Sequence, residues 1–362
     1  MEIEKEVIEG LKEVLKKYSL CDNCIGRQLR FWQINLENRE KGKIIRKVFG
    51  IEKERERCEL CGNVFKELPS LLETLKKQLK EYEFDSFVVG TIEPAEKKAL
   101  EEKIWEIVGV KYCESVKFEI NRVISLYIQK NLKKKVDFSD WDVKIEFDMK
   151  NKKFAIIPKD IYISGYFRKK RIINQSVNKI FELRGKELFK GEGATFYTFG
   201  KLEKEVILTA KKPWVLRVKK PKKRKVKLEE FAKKIKKAGL EVEDLEYAKR
   251  VAIFDFIGKE IKQTACIHLE LDKKADYFIV ERLMDMERKI VRQVDEYGKE
   301  RKEKILKVRV ETWGKKVRVF LETSPNFLPY KFATNKTSPG LKRFLEPNYR
   351  IKKVEIVKFE IK

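Results

Sequence analysis

Apolar residues recur along this chain with two periods, one typical of helices and one typical of strands. Residues 2–18 carry apolar side chains at the spacing of one helix face: Ile3, Val7, Ile8, Leu11, Val14 and Leu15. Helices are also predicted at 71–79, 95–108 and 114–133. A strand is predicted at 84–90, and a hairpin at 143–148 with 154–158, because a short polar run separates two apolar ones.

Strand patterns dominate the second half of the chain. They cover residues 205–209, 214–219, 251–256, 263–271, 305–313, 316–323 and 353–361. Helices are predicted there at 227–238 and 281–286, and no internal repeat is visible. We therefore expect an α+β fold, with a cysteine-bearing element and a mixed domain over 1–165. A second domain with a mixed, largely antiparallel sheet is expected over 166–362.

The charge balance indicates that this globular protein binds a polyanion. The 362 residues include 85 lysines and arginines against 58 acidic residues, a net charge of +27. Such a field attracts phosphate chains, and the release of condensed counterions adds affinity that does not depend on sequence. A genome rich in lysine and glutamate codons would raise both signs together, so it explains only part of the excess.

An anionic membrane is the rival partner for this charge. The sequence has neither a basic amphipathic helix nor a lipidation signal, so no membrane partner is expected. It also lacks an apolar run of spanning length and the layout of a signal peptide at the N-terminus. A cytoplasmic protein is therefore predicted.

Four of the six cysteines form two C-x-x-C pairs, Cys21 with Cys24 and Cys58 with Cys61. Zinc takes four ligands in a tetrahedron, and each pair places two thiolates on one turn, which predicts a structural zinc site. Four ordinary buried thiols are the alternative. Redox C-x-x-C motifs occur singly, so the doublet argues against them. The remaining Cys113 and Cys266 stand in apolar surroundings and are predicted to be core residues.

His268 is the only histidine, and it lies in a strand pattern. A structural role is expected for it, because a lone histidine there is more often a satisfied core residue than a catalyst. Chemistry that needs several histidines is excluded. Any catalysis must then depend on carboxylates, tyrosines or basic residues.

Two basic segments are candidate RNA contacts. The first is Arg168, Lys169, Lys170 and Arg171; the second includes Lys219, Lys220, Lys222, Lys223 and Arg224. Residues 217–225 hold seven positive charges, which repel one another unless a phosphate backbone meets them, although a solvated loop is the alternative. The two segments could line one groove. Structured RNA is favoured over duplex DNA because no groove-reading helix motif is visible.

Several colinear segments resemble one known family, the archaeal and eukaryotic tRNA pseudouridine synthases that modify the T-loop. Residues 20–28 and 58–62 are similar to its N-terminal zinc element, and residues 84–94 and 114–122 to its RNA-binding domain of the THUMP type. Later matches are residues 136–138, 161–169, 212–224, 292–293 and 337–339. The resemblance implies a second domain with the pseudouridine synthase fold. It also implies tRNA as the partner, the T-loop uridines 54 and 55 as targets, and no organic cofactor.

The resemblance further implies covalent chemistry. A carboxylate attacks the target uridine, and the base detaches, rotates and rejoins the ribose through carbon; the base must first leave the stack. Family members carry the aspartate in a Gly-Arg-Glu-Asp-x-Asp-Val stretch. Residues 200–206 read Gly-Lys-Leu-Glu-Lys-Glu-Val, which places Glu205 at the nucleophile position.

Three positions depart from the family pattern. Glutamate instead of aspartate moves the carboxylate oxygens outward, and a misplacement of about 1 Å costs on the order of a hundredfold in rate. The two substrate tyrosines of the family fall near Thr264 and Arg318. An alternative for Glu205 is an exposed salt-bridge former that shares one face of a strand with Glu203.

Three functions follow from these observations. The first is a working tRNA pseudouridine synthase with Glu205 as an atypical nucleophile. The second is a catalytically degenerate tRNA binder that acts as a folding aid or a partner subunit. The third is a basic protein associated with the ribosome. The sequence leaves the oligomeric state open, with a monomer as one option.

Overall fold

The computed structural model describes residues 4–51, 56–256, 259–294, 298–345 and 348–361. The chain divides into two compact units, Met1–Lys159 and Asp160–Lys362. The predicted boundary at 165/166 is therefore six residues too late. The strand Ile161–Lys169 pairs on both sides with strands of the second unit, which places it there.

The first unit contains six α-helices and four strands among its described residues. The helices are α1 Lys5–Lys17, α2 Asp22–Gly26, α3 Asn38–Val48, α4 Val64–Leu79, α5 Ala95–Val108 and α6 Val116–Leu132. The strands are β1 Ser86–Ile92, β2 Lys135–Val136, β3 Val143–Asp148 and β4 Lys153–Pro158. They form a sheet of order β2-β1-β3-β4, in which β1 runs parallel to both neighbours and β3–β4 is the predicted hairpin.

Helix periodicity accounts for the core of this unit. Helix α1 buries Val7, Leu11 and Val14 on the predicted face; Ile3 lies outside the described residues. Helix α4 begins at Val64, seven residues before the predicted start, because Val64 and Leu68 continue the same buried stripe.

The second unit contains four α-helices and nine strands among its described residues. The helices are α7 Val177–Phe189, α8 Leu228–Lys237, α9 Tyr277–Met284 and α10 Pro329–Ala333. The strands are β5 Ile161–Lys169, β6 Gly193–Tyr197, β7 Ile207–Lys219, β8 Glu241–Ala248, β9 Ile261–Leu271, β10 Ile290–Val294, β11 Glu300–Trp313, β12 Lys316–Thr323 and β13 Tyr349–Ile361.

These nine strands form one mixed sheet of order β10-β11-β12-β9-β13-β7-β5-β8, with β6 added to β7. Only β13 and β7 pair in parallel; the other pairings between named strands are antiparallel. The helices pack on one face, where Phe181, Phe231 and Leu283 join Ile267 and Leu269 of β9 in one apolar cluster. Because side chains alternate along a strand, the intervening β9 residues lie on the opposite face. The α+β prediction is confirmed.

Two predictions in the second unit are wrong. Residues 251–256, predicted as a strand, belong largely to a 3-10 helix, Arg250–Asp255, whose buried residue Ile253 precedes the buried Phe256 by one turn. Residues 204 and 205 form a turn, and β7 starts at Ile207, so Glu203 and Glu205 do not share a strand face. No helix among the described residues combines the length and the apolar character needed to cross a bilayer.

Candidate active site and nucleic-acid interface

The two C-x-x-C pairs meet in the first unit. The sulfurs of Cys21, Cys24, Cys58 and Cys61 lie within 4.8 Å of one another, and Cys21 Sγ is 3.6 Å from Cys61 Sγ. Burial raises the pKa of the Cys24 thiol well above its usual value, because a thiolate loses its hydration there. Four converging buried sulfurs can hold a metal ion, whose positive charge would compensate the thiolates.

Local backbone geometry explains how one tight turn carries both cysteines of the second pair. The Cys61 amide donates to Cys58 Sγ at 3.5 Å, and the Gly62 amide donates to the Cys58 carbonyl at 2.9 Å. Gly62 has a φ of +60°, a left-handed conformation that glycine adopts without steric cost. The tight turn after Cys61 therefore depends on the glycine that follows it.

The loop that carries the predicted nucleophile lies in the second unit, just before β7. Glu205 is exposed at the turn, and the structure records no hydrogen bond or ion pair for it among the described residues. Gly200, at the start of the loop, has a φ of +58°, and a Cβ there would lie 2.2 Å from the Pro325 carbonyl oxygen. The Lys201 amide donates to that same oxygen at 3.1 Å. The loop is thus held against the segment 324–331.

Glu203, not Glu205, is the anchored carboxylate of this loop. Its two oxygens accept hydrogen bonds from the backbone N–H groups of Tyr330 at 2.8 Å and Lys331 at 2.9 Å. Burial raises the pKa of Glu203 to about 7, against the opposing effect of these two donors. The side chain therefore ties the loop to the start of α10.

Lys169 holds the other side of the loop, which corrects its predicted role. It is fully buried, and its Nζ donates to the carbonyls of Glu203 at 2.9 Å and Lys204 at 2.7 Å. Burial lowers the pKa of Lys169 to about 8, while the charges of Glu205 and Glu203 act in the opposite direction. A side chain in this position cannot contact RNA phosphates.

Two buried glutamines, neither of which was predicted as a site residue, hold the segment 324–331 in place; Gln293 lies in one of the segments that resemble the family. Gln263 donates to the Phe327 carbonyl at 2.9 Å, and Gln293 donates to the Asn326 carbonyl at 2.7 Å. The Gln293 side-chain oxygen also accepts from the Leu328 amide at 3.0 Å. A signal was present for Gln263, since it falls on the apolar phase of β9 between Ile261 and Ala265.

The positions of the two family tyrosines share one face of the sheet. Thr264 of β9 pairs with Glu322 of β12, and Arg318 of β12 pairs with His268 of β9. They stand four residues apart along the ladder, roughly 13 Å at the rise of a strand. Arg318 lies over the Trp313 ring at 5.0 Å. Neither residue offers an aromatic ring on which a base could stack.

The basic run at the end of β5 is largely paired within the protein. Arg168 forms an ion pair with Glu243, and Lys170 Nζ lies 2.8 Å from Glu241 Oε2. With Lys169 buried, Arg171 is the exposed member of the run without a described acidic partner. This run is therefore a weaker candidate for RNA contact than its charge predicted.

The second basic segment leaves the end of β7 and is more open. Lys219 and Lys223 are exposed, and Lys220 pairs with Glu192 at 3.0 Å. Lys222 and Arg224 are half-buried. The Lys223 amide donates to the Phe189 carbonyl at 3.0 Å, so the segment is held beside the end of α7.

The two basic segments leave opposite ends of one strand pair. In the antiparallel pair β5–β7, Lys169 lies opposite Leu208, whereas Ile161 lies opposite Val218. The run 168–171 therefore leaves one end of this pair and the segment 219–224 leaves the other. At about 3.3 Å per residue the two ends are roughly 26 Å apart.

Comparison with known proteins shows which proteins this chain resembles. The family model described as "Pus10 THUMP domain, archaeal" matches residues 71–148, which run from within α4 through β3. The protein named tRNA pseudouridine synthase Pus10 from Thermofilum pendens is 24% identical, over 96% of this chain and 94% of that protein. The protein of the same name from Nitrosopumilus maritimus is 23% identical, over 99% of both chains. That from Pyrococcus furiosus is 30% identical, over 64% of this chain and 63% of its own.

Among solved structures, "Crystal Structure of a Cbf5-Nop10-Gar1 Complex" matches 54% of this chain and 48% of its own, at 12% identity and a TM-score of 0.32. That score is too low to support any conclusion about this chain. The alignments to Pus10 proteins run through both units, and the domain match falls inside the first. The chain is therefore similar to proteins named tRNA pseudouridine synthase Pus10 along nearly its whole length.

Proposed function

We propose that this protein binds tRNA in the cytoplasm and isomerises uridine to pseudouridine in it, at the T-loop positions that the sequence resemblance implies. The observation that carries the proposal is the near-full-length alignment with proteins named tRNA pseudouridine synthases. The net charge of +27 and the open basic segment after β7 support a polyanionic substrate. In this proposal both units contribute RNA binding, and the second also contributes the chemistry.

Glu205 is the proposed nucleophile. It is exposed on a loop that Glu203, Lys169 and Gly200 hold in place, so an extruded nucleotide could reach its carboxylate. The carboxylate would attack the uridine, and the bond between the base nitrogen and the ribose carbon would break. The freed base would then rotate and rejoin the ribose through a ring carbon. The ring proton at that carbon is lost and the freed nitrogen gains one, so atoms balance without a cofactor.

A second candidate function is tRNA binding without isomerisation. The observation that favours it is the face of β9 and β12, where Thr264 and Arg318 replace aromatic side chains and Arg318 is engaged with Trp313. A base placed there would lack the stacking that family members supply. The protein would then hold tRNA as a folding aid or a partner subunit.

One experiment separates the two functions. A tRNA transcript with an intact T-loop is incubated with the protein, and pseudouridine is mapped by chemical modification and primer extension. The synthase hypothesis expects product with the wild type and none above background with Glu205→Ala. It also expects Glu205→Asp to alter the rate, since the carboxylate retreats by roughly 1 Å, a displacement worth on the order of a hundredfold. Salt-sensitive tRNA binding without product from any of the three proteins would leave the binder hypothesis.

We propose zinc as the ion of the four-cysteine site. Four thiolates favour zinc among common cellular ions, and they close its coordination sphere, so the ion would be structural and not catalytic. The four cysteines lie before and after α3 in the sequence, at positions 21–24 and 58–61. The site would therefore stabilise the first unit.

A further inference from the structure

The only histidine of the chain meets a cysteine and a glutamate on the face of the second sheet that is opposite the helices. Cys266 and His268 are two residues apart on β9, so both side chains point to the same face. Glu355 of β13 pairs directly with Cys266 across the ladder. The sulfur, nitrogen and oxygen atoms of the three side chains lie within 4.8 Å of one another.

The three side chains converge on a single ring nitrogen. His268 Nε2 is 2.7 Å from Glu355 Oε1 and 3.4 Å from Cys266 Sγ. In a nucleophilic relay, the thiol and the carboxylate would contact the two different nitrogens of the imidazole. Here both contact Nε2, which carries either one proton or one lone pair. One nitrogen cannot satisfy both neighbours, so neither a relay nor a pair of ordinary hydrogen bonds accounts fully for the cluster.

The surroundings are those of a ligand set with one open side. Cys266 is 2% exposed, the Glu355 side chain is 10% exposed and the His268 side chain is 22% exposed. The second oxygen of Glu355 is held by Lys353 Nζ at 2.6 Å, which fixes the carboxylate and directs Oε1 at His268. An outer partner that orients a ligating carboxylate is a regular feature of metal sites.

We propose that Cys266, His268 and Glu355 form a second metal site, which binds a divalent transition ion of the zinc type. One thiolate, one imidazole and one carboxylate suit zinc or cobalt, and three protein ligands leave a fourth position for water or an external ligand. Binding would displace the thiol proton to solvent. With metal–ligand distances of about 2.1 Å, the nitrogen and oxygen would move apart to roughly 3.4 Å, which a small side-chain rotation allows.

The site lies between the positions that the resemblance gives to the substrate tyrosines. Thr264 precedes Cys266 by two residues on the same face, and Arg318 is opposite His268. An ion there would place positive charge on the face where the family resemblance expects the target nucleotide. The metal proposal does not depend on the chain being an active synthase, because it rests on the three side chains alone.

The test is a zinc count on the full-length protein. Wild type, His268→Gln and Glu355→Gln are each dialysed to equilibrium against micromolar zinc chloride, and bound zinc is measured by elemental analysis. We expect about two zinc ions per chain in the wild type, of which the four-cysteine site holds one, and about one in each variant. Cys113→Ser is the matched control, since it removes another buried thiol that belongs to neither cluster of candidate ligands; it should keep about two.

Thermal unfolding of each variant shows whether it has folded, and Glu355→Gln keeps the test valid if His268→Gln does not fold. The proposal is overturned if the wild type binds one zinc ion per chain and the folded variants retain it. It is equally overturned if a folded His268→Gln or Glu355→Gln protein binds as many ions as the wild type.

Discussion

Lys212 has an ionisable side chain that water does not reach. It is fully buried on β7, its Nζ has no hydrogen-bond partner in the described structure, and the rings of Phe199 and Phe359 lie 5.0 Å and 5.5 Å away. Burial lowers the pKa of Lys212 to about 7 from its ordinary value of 10.5. The unfolded chain therefore binds this proton more tightly than the folded one, so Lys212 costs stability below about pH 7 and the cost disappears as pH rises towards 10.5.

Lys212→Met should remove this cost. We expect the variant to be more stable than the wild type near pH 7, by roughly 2–4 kcal/mol at most. Near pH 10 the advantage should shrink, because the wild-type lysine is then neutral in both states. Urea unfolding at the two pH values measures both effects.

Lys211→Met is the control: this neighbouring lysine is exposed and paired with Glu243 at 2.7 Å, so a change within about 1 kcal/mol is expected. A Lys212→Met protein less stable than the wild type near pH 7 would contradict the account.

The two carboxylates of the loop before β7 also differ as individual residues, in their hydrogen bonds and their exposure. Glu203 is committed to the backbone of α10, whereas Glu205 is exposed. By their local charge pattern they look equivalent, two residues apart in a run of alternating charges, and only the family resemblance distinguishes Glu205. The partner of Glu203 lies 127 residues further along the chain, and no local pattern encodes such a contact.

At the scale of elements, local signals were sufficient where an element depends on its own residues. Helix α5 has the predicted bounds, and the hairpin β3–β4 differs by one residue, because periodicity and turn residues define both. The 3-10 helix at Arg250–Asp255 and the turn at 204–205 were missed, because short apolar runs do not distinguish a strand from a turn of helix. The cysteine pairs were found from spacing alone, whereas the cluster at His268 needed the register of β9 with β13.

The two basic segments are expected to contribute differently to tRNA binding. Replacing Lys219 and Lys223 by alanine should weaken tRNA binding several-fold at low salt, because both are exposed on a segment that leaves the sheet. The slope of log affinity against log salt should become shallower by about 1 for each phosphate that the variant no longer neutralises. Lys170→Ala is the control, since Glu241 already neutralises that ammonium, and it should leave the slope close to that of the wild type. Filter binding over a salt series measures the slopes; equal slopes for all three proteins would exclude the segment after β7 as a phosphate-binding element.

At the scale of the whole molecule, the chain has two units with separate apolar cores. The core of the first unit includes Cys24, Cys58 and Cys61 together with residues of α1, α4 and α6, and the core of the second gathers residues of α7 to α10 against the sheet. The four thiols are thus part of the packing of one unit only. A metal ion bound by them would couple the folding of that unit to metal binding.

Cys61→Ser should therefore unfold the first unit and spare the second. Binding of structural zinc contributes about 10–16 kcal/mol in small zinc domains, comparable to the entire stability of a typical domain, about 5–15 kcal/mol. Hydrogen exchange read by mass spectrometry should show loss of protection in α1, α2 and α4, with β9, β12 and β13 still protected. Cys113→Ser, in the same unit but outside the four-thiol cluster, should keep protection in both. If Cys61→Ser left the first unit as protected as the wild type, the thiols would be ordinary core residues; if it exposed both units equally, the two cores would fold as one cooperative body.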